Sequence, residues 1–359
     1  MTAGALAGAV ACAWAIALIT PDPKIHDLFL DFRANVWEPG RAILAGESPL
    51  RDYSDPESLG SVYPPAANLL TLPFALPPYK VAAILWLGAL VLSVLIALRL
   101  CGVRDWRCVA LALASPPVIN GIVYGNVSLV VVLVLAGAWV WRDRPLRGGA
   151  LVGLLIATRV FLWPLAIWLL FTGRRRAAAS AVASTVLITV MGWAAVAFRR
   201  IDEFADVTRR NAWDWVDRGV SVASLTANLG GSRTAIVLIS LLAGLAAIAM
   251  AWRRRHADLE CFAWTLVAAL FISPIVWPYY YAMLLVPLAL ATPYLSRAWL
   301  LPYLTAPQLA VPAPGAFRVL EATLGVAFAV LTARTCRPRS RAVTHDASAP
   351  PVASATEPG

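Results

Sequence analysis

Eight of the chain's 20 acidic residues fall in one polar island, Asp22 to Pro65, wedged between two apolar segments. It reads Lys24-Ile-His26-Asp27-Leu-Phe-Leu-Asp31-Phe-Arg33, then Gly46-Glu47-Ser48-Pro49-Leu50, then Val62-Tyr63-Pro64-Pro65. A positioned carboxylate takes up a proton in a group transfer, and a nearby arginine or lysine stabilises an anion. The island holds both kinds of group, Asp27 and Asp31 beside Lys24, Arg33 and Arg41. Farther on, Arg159 stands between apolar runs, where an intramembrane charge is by default a functional hypothesis. The three histidines (His26, His256, His345) are scattered and the five cysteines show no C-x-x-C spacing, so no metal site or disulfide framework is implied.

The elements that must position these groups are membrane helices. The 359 residues are 60% hydrophobic and 14% charged, with mean hydropathy +0.71, whereas soluble domains carry about 25% charged residues. Runs long enough to span a bilayer number about eleven, some short, which predicts an all-α polytopic integral membrane protein with about ten to twelve helices. The net charge of +10 does not signal nucleic-acid binding. Its arginines come in small clusters between apolar runs, the positive-inside pattern, rather than on one face.

Those clusters set the topology. Arg99/Arg104/Arg107, Arg142/Arg144/Arg147, Arg174–Arg176, Arg253–Arg255 and Arg334/Arg337/Arg339/Arg341 are placed in the cytoplasm. Residues 22–65, 121–126, 159–162, 198–233 and 277–280 are left for the outside of the cell membrane, with both termini cytoplasmic. The second large loop has six arginines against five acids, but long loops translocate regardless of charge. Segment 1–20 has signal-peptide length without a basic start, and cleavage there leaves the island outside all the same.

Two stretches strain the count. Between Tyr63 and Arg99 the chain must cross once despite Pro73, Pro77 and Pro78, so 64–76 reads as an interfacial or re-entrant helix and 79–99 as the span. Between Arg147 and Arg174 it must cross twice, giving two limbs of about 13 residues, ~20 Å each, that meet at Thr158-Arg159. One long span breaking the positive-inside pattern is the competing reading. The organisation is one membrane domain over residues 1–333, with external loops at about 21–65 and 198–233. Residues 334–359, rich in Pro and Ala, read as a disordered cytoplasmic tail.

Taken in order, Asp31-Phe32-Arg33, Arg41-Ala-Ile-Leu-Ala-Gly46-Glu-Ser-Pro49-Leu50, Tyr63-Pro64-Pro65, Gly125-Asn126-Val-Ser128, Ala157-Thr-Arg159…Pro164 with Arg174–Arg176, and Ser273-Pro274-Ile-Val-Trp277 resemble the GT-C membrane glycosyltransferases. The branch is family 87, which includes actinobacterial polyprenyl-phosphate-mannose-dependent α-mannosyltransferases. Each motif alone is weak, and the shared order is what is specific.

The resemblance implies a GT-C-like bundle in which an aspartate of the first external loop is the catalytic base. Asp31 occupies that position, with Asp27, one helical turn earlier, as second choice. It further implies a polyprenyl-phosphate sugar donor, a glycolipid or polysaccharide acceptor, no cofactor, and inversion by a single base where a β-linked donor gives an α-linked product. Donor-phosphate or substrate contacts fall to Arg33, Arg41, Tyr63, Asn126, Arg159, Trp277 and Tyr279. The chain departs from the family where many members have Gln and Asn for Asn126 and Ser128, lysine for Arg159, and one or two histidines where Pro278-Tyr279-Tyr280 stands.

Plainer roles exist for each group. Asp31 could be a solvated loop carboxylate or the N-cap of a helix over Ala34–Leu44, and Arg159 a snorkelling interface residue. Tyr63 and Trp277–Tyr280 could form an aromatic belt. Asn211–Arg218, with Trp213 and Trp215, either caps the cavity against an acceptor glycan or lies on lipid. A transporter of lipid-linked intermediates would show paired broken helices in an internal repeat, which the sequence does not display. A non-catalytic glycan-lipid binder would use the same loop.

Overall fold

The computed structural model describes residues 29–54, 60–309 and 316–337. Asp27, Lys24, segment 1–20 and the tail beyond Arg337 lie outside them. Regular structure among the described residues is helical, apart from one bridge between Leu50 and Ser61. The chain is an all-α polytopic membrane protein.

The polar island forms α1 (Leu30–Phe32), one π-helical turn (Arg33–Trp37) and α2 (Glu38–Leu44). Pro64 and Pro65 then start α3 (Pro65–Thr71), where a proline in the first turn costs no hydrogen bond. A 3₁₀ turn over Leu72–Ala75 follows, and after Pro77-Pro78 comes α4 (Tyr79–Leu100), a 22-residue apolar span. The divided reading of 64–99 therefore matches the helices.

The next helices are α5 (Trp106–Leu113), α6 (Pro116–Tyr124), α7 (Ser128–Val140) and α8 (Pro145–Thr158). Pro116-Pro117 breaks the first pair, which bends by 54°. After Arg159 come a 3₁₀ turn (Val160–Leu162), α9 (Pro164–Phe171), α10 (Arg175–Ala195), α11 (Phe204–Trp215), α12 (Val222–Asn228), α13 (Arg233–Arg253) and α14 (Asp258–Ile272). The chain continues with a 3₁₀ stretch (Pro278–Leu284), α15 (Leu285–Ala291), a second 3₁₀ stretch (Arg297–Leu309) and α16 (Ala316–Thr335). Residues 147–174 thus form two short limbs broken at Arg159, not one long span.

Among the described residues four helices, α4, α10, α13 and α16, are long and apolar enough to cross a membrane, and α5 with α6 makes a fifth if the bent pair is one span. Four other apolar stretches have only 10–17 residues. Of the ten to twelve helices expected, several are therefore shorter than a full crossing.

Lipid and protein faces separate by side chain. Val182, Val186, Val190 and Met191 of α10 and Leu238, Leu242 and Leu245 of α13 are exposed, a belt that water would not tolerate and lipid would cover. By contrast, every residue from Glu260 to Phe271 of α14 is buried, so this helix is the core's axis. Helices α8 and α10 approach closely through Gly149 and Gly153. A Cβ on Gly153 would lie 2.6 Å from that of Ser184, and small residues spaced by four admit such packing.

The basic clusters meet at one end. Arg142 Nε and both terminal nitrogens of Arg174 donate to the Asp258 carboxylate at 2.8–2.9 Å, and Trp168 Nε1 adds a bond at 2.8 Å. Arg254 and Arg337 lie 3.3 and 3.5 Å from buried Glu260. Four of the five clusters assigned to one side of the membrane thus touch the start of α14 or lie beside it.

Candidate active site

The opposite ends of α8 and α14, roughly 20 Å away at 1.5 Å per residue, are where the chemistry-bearing residues gather. The assembly starts at the end of α6. Gly125 takes φ +65 and lets the chain turn, with its N–H on the Ile122 carbonyl at 3.1 Å and the Asn126 N–H on that of Gly121 at 2.8 Å. This is the glycine-terminated helix cap, and it presents Asn126 beyond the helix end. Nor does Gly125 leave room for a side chain, because a Cβ would sit 2.8 Å from Phe29 Cδ1 and from Phe32 Cβ.

Those two phenylalanines fix Asp31 between them. Phe29 N–H donates to the Val123 carbonyl at 2.8 Å from a left-handed backbone, φ +60, an uncommon setting for a bulky residue. Phe32 stacks on Trp86, centroids 5.6 Å apart, and Trp86 Nε1 donates to the Gly125 carbonyl at 2.7 Å. Asp31 is therefore carried against Asn126 by apolar packing on both sides. Its side chain caps no helix, so the N-cap reading does not hold. In the π turn that follows, the Asn35 carbonyl accepts from the buried Asn68 amide at 2.7 Å, and such turns recur at functional sites.

Asn126 Nδ2 donates to Asp31 Oδ2 at 2.8 Å and approaches the Tyr63 hydroxyl at 3.4 Å. The Tyr279 hydroxyl faces the Asp31 carboxylate. Burial pushes the Asp31 carboxyl above its usual range, opposed by the Tyr279 and Asn126 hydrogen bonds and by the charge of Arg159. Burial likewise raises the Tyr63 phenol, so its proton stays on as a donor.

Arg159 is 5% exposed, held at the break between α8 and the next turn. Its Nη1 donates to the Tyr280 hydroxyl at 2.8 Å and its Nη2 to Asn126 Oδ1 at 3.3 Å. The guanidinium lies 4.0 Å from the Tyr63 ring centre and 5.2 Å from that of Tyr280, both within cation–π range. The neighbouring tyrosines thus divide, Tyr279 to the carboxylate and Tyr280 to the cation. Trp277 stacks beside Tyr279 at 6.5 Å and meets Trp215 of α11 edge-on at 5.8 Å.

Of the residues singled out from sequence, Asp31, Tyr63, Asn126, Arg159, Trp277 and Tyr279 converge. Arg33 and Arg41 do not. Arg33 pairs with Glu38 at 2.7 Å with half its side chain exposed, and exposed Arg41 sits 6.0 Å above the Trp37 ring. Two network members went unassigned in the sequence reading: Ser128, which donates twice to Asn126, and Tyr280. Their positions next to Asn126 and Tyr279 were the available signal.

Residues 62–278, more than half of the chain, match the sequence profile of Glycosyltransferase family 87. The chain belongs to that family. It is a glycosyltransferase. Tyr63, Asn126, Arg159 and Trp277 lie inside the family 87 segment, and folding brings Asp31, Tyr279 and Tyr280 to it from either side. The chain is also 29% identical over 282 residues to a polyprenol-phosphate-mannose-dependent alpha-(1-2)-phosphatidylinositol pentamannoside mannosyltransferase of Mycolicibacterium smegmatis, covering 70% of this chain and 67% of the relative. No solved structure matches.

Proposed function

We propose that the protein transfers a hexose, mannose first among candidates, from a polyprenyl-phosphate donor to a lipid or glycan acceptor at the extracytoplasmic face of the cell membrane, with both termini cytoplasmic. Asp31 is the general base. The acceptor hydroxyl oxygen bonds to the anomeric carbon as its bond to the phosphate oxygen breaks, and the hydroxyl proton passes to Asp31. The departing polyprenyl phosphate gains negative charge, which Arg159 balances.

The observation that carries this reading is the pairing of a carboxylate and a buried guanidinium through one amide, Asp31–Asn126–Arg159, within an aromatic-walled site. Tyrosine and tryptophan rings also suit the apolar faces of a sugar. The mannose donor of the Mycolicibacterium relative supports the choice of sugar.

Membranes containing the wild type and Asp31→Asn are supplied with labelled polyprenyl-phosphate mannose and glycolipid acceptors, then with a panel of other lipid-linked sugars. Transfer by wild type and its loss in a folded Asp31→Asn protein are the expected results. Full transfer by Asp31→Asn sinks the base, and transfer of every sugar except mannose sinks the donor.

A further inference from the structure

A primary amide is ambiguous about which of its ends faces which neighbour, and at Asn126 the neighbours settle it. Its Oδ1 accepts from the Ser128 hydroxyl at 2.6 Å, the Ser128 N–H at 2.8 Å and Arg159 Nη2 at 3.3 Å. Three donors converge on one atom of a residue 1% exposed, and the Ser128 side chain beside it is equally hidden at 2%. Turned over, the amide would set its NH₂ against those donors and its oxygen against the Asp31 carboxylate. The contacts with the Ser128 N–H, with Arg159 and with Asp31 would then each join like with like, and the Ser128 hydroxyl alone could turn to accept.

We propose that Ser128 is a positioning residue for the base: its N–H, with Arg159, sets the direction of the Asn126 amide and its hydroxyl, the shortest of the three bonds, holds the amide there, so that Nδ2 faces the Asp31 carboxylate. The role for Asp31 as base rests on the function proposed above, but the orientation itself does not. Groups facing Asp31 come from every wall: Asn126 from the α6–α7 turn, Tyr63 from the first loop, Arg159 from the end of α8, and Tyr279 and Tyr280 from the stretch after Trp277. Of these groups, Asn126 hydrogen-bonds both the carboxylate and the cation, through its Nδ2 to Asp31 and its Oδ1 from Arg159. Asn126 is accordingly less a substrate contact than the joint between the cation and the carboxylate.

The test reads Asp31 directly. Carbodiimide labels protonated carboxyl groups, so labelling of Asp31 in purified protein, followed by mass spectrometry across pH, gives its titration midpoint without any substrate. Ser128→Ala loosens the amide and moves that midpoint upward by roughly half to one pH unit, the equivalent of one weakened hydrogen bond. Asn126→Asp, nearly isosteric, sets a second carboxylate against Asp31 and moves it by at least about two units. An unchanged midpoint in either folded variant overturns the proposal. In the transfer assay, Ser128→Ala lowers kcat and lifts the acid limb while leaving the donor KM unchanged. A raised KM with an unmoved limb makes Ser128 a substrate contact and overturns it too. Absence of transfer by wild type rejects the proposed function alone, because the labelling midpoints still decide the role of Ser128.

Discussion

Replacing Arg159 by Lys is the sharpest perturbation of the site, since it keeps the charge and removes the geometry. The guanidinium reaches two acceptors at once, Tyr280 at 2.8 Å and Asn126 at 3.3 Å, while its carbon lies over the Tyr63 ring, 4.0 Å from the ring centre. A lysine ammonium is a point charge without a planar fork, so it keeps one of these partners at most. The loss is one hydrogen bond to a charged group, about 1.5–3 kcal/mol, or roughly 10- to 150-fold in kcat/KM at 1.36 kcal/mol per decade. If Arg159 meets the donor phosphate, the loss falls on kcat/KM for the donor and leaves the acceptor KM alone. Initial rates over a matrix of donor and acceptor concentrations separate the two. A donor kcat/KM within twofold of wild type would refute the phosphate role. A rise confined to the acceptor KM would instead move Arg159 to the acceptor side.

Asp31→Asn lowers transfer by about 10²- to 10⁴-fold, the usual worth of a general base, measured with labelled donor. Its unfolding midpoint in detergent is expected at or above that of wild type. Burial raises the folded carboxyl above its unfolded value, so ionising it costs stability as pH rises through the folded value, and a neutral amide avoids that cost. For the same reason the rate against pH falls on the acid side at a midpoint above the ordinary carboxylate range, and a limb below that range contradicts the burial argument. Gly125→Ala forces a Cβ into the left-handed region and against Phe29 and Phe32. It costs at least about 2 kcal/mol of stability and most activity, read by thermal unfolding and transfer, and wild-type values in both would remove Gly125 from the site's foundation. At the far end, Glu260→Gln stays within ~1 kcal/mol, because Arg254 and Arg337 are half exposed and re-solvate. Arg254→Ala with Arg337→Ala strands a carboxylate of 1% exposure and costs ~3–5 kcal/mol; equal effects would contradict this asymmetry.

The broad plan was legible because it rests on hydropathy, proline and charge clusters. Pro77-Pro78 marks the start of α4, and the arginines flanking 147–174 demand two short limbs broken at Arg159, as observed. Which cations reach the site was not legible. Arg33 and Arg41 share a loop with Asp31, yet Arg33 is spoken for by Glu38, five residues on. That spacing faces apart on an α-helix and comes together over the π turn of Arg33–Trp37, which no pattern in the sequence announced. The Asp31–Asn126 bond joins residues 95 apart. It depends on a left-handed glycine and two phenylalanines, and so on tertiary packing.

The family departures noted in the sequence acquire a common explanation. Asn126, Ser128, Arg159 and the tyrosines after Pro278, the positions where the resemblance marks a departure from the family pattern, touch one another: Ser128 on Asn126, Asn126 on Arg159 and Arg159 on Tyr280, with Tyr279 facing Asp31. Residues within one hydrogen-bond network do not contribute additively, so each departure is to be judged with its neighbours. The short Asn126 amide touches Asp31 through Nδ2 and Arg159 through Oδ1. Arg159 in turn needs an acceptor on its other side, which the Tyr280 hydroxyl supplies and a protonated imidazole would not. The changes thus compensate within the cation's surroundings and leave the Asp31 carboxylate still held by the Asn126 amide. On the function proposed above, such changes bear on the cation that would grip the donor more than on the carboxylate that would take the proton.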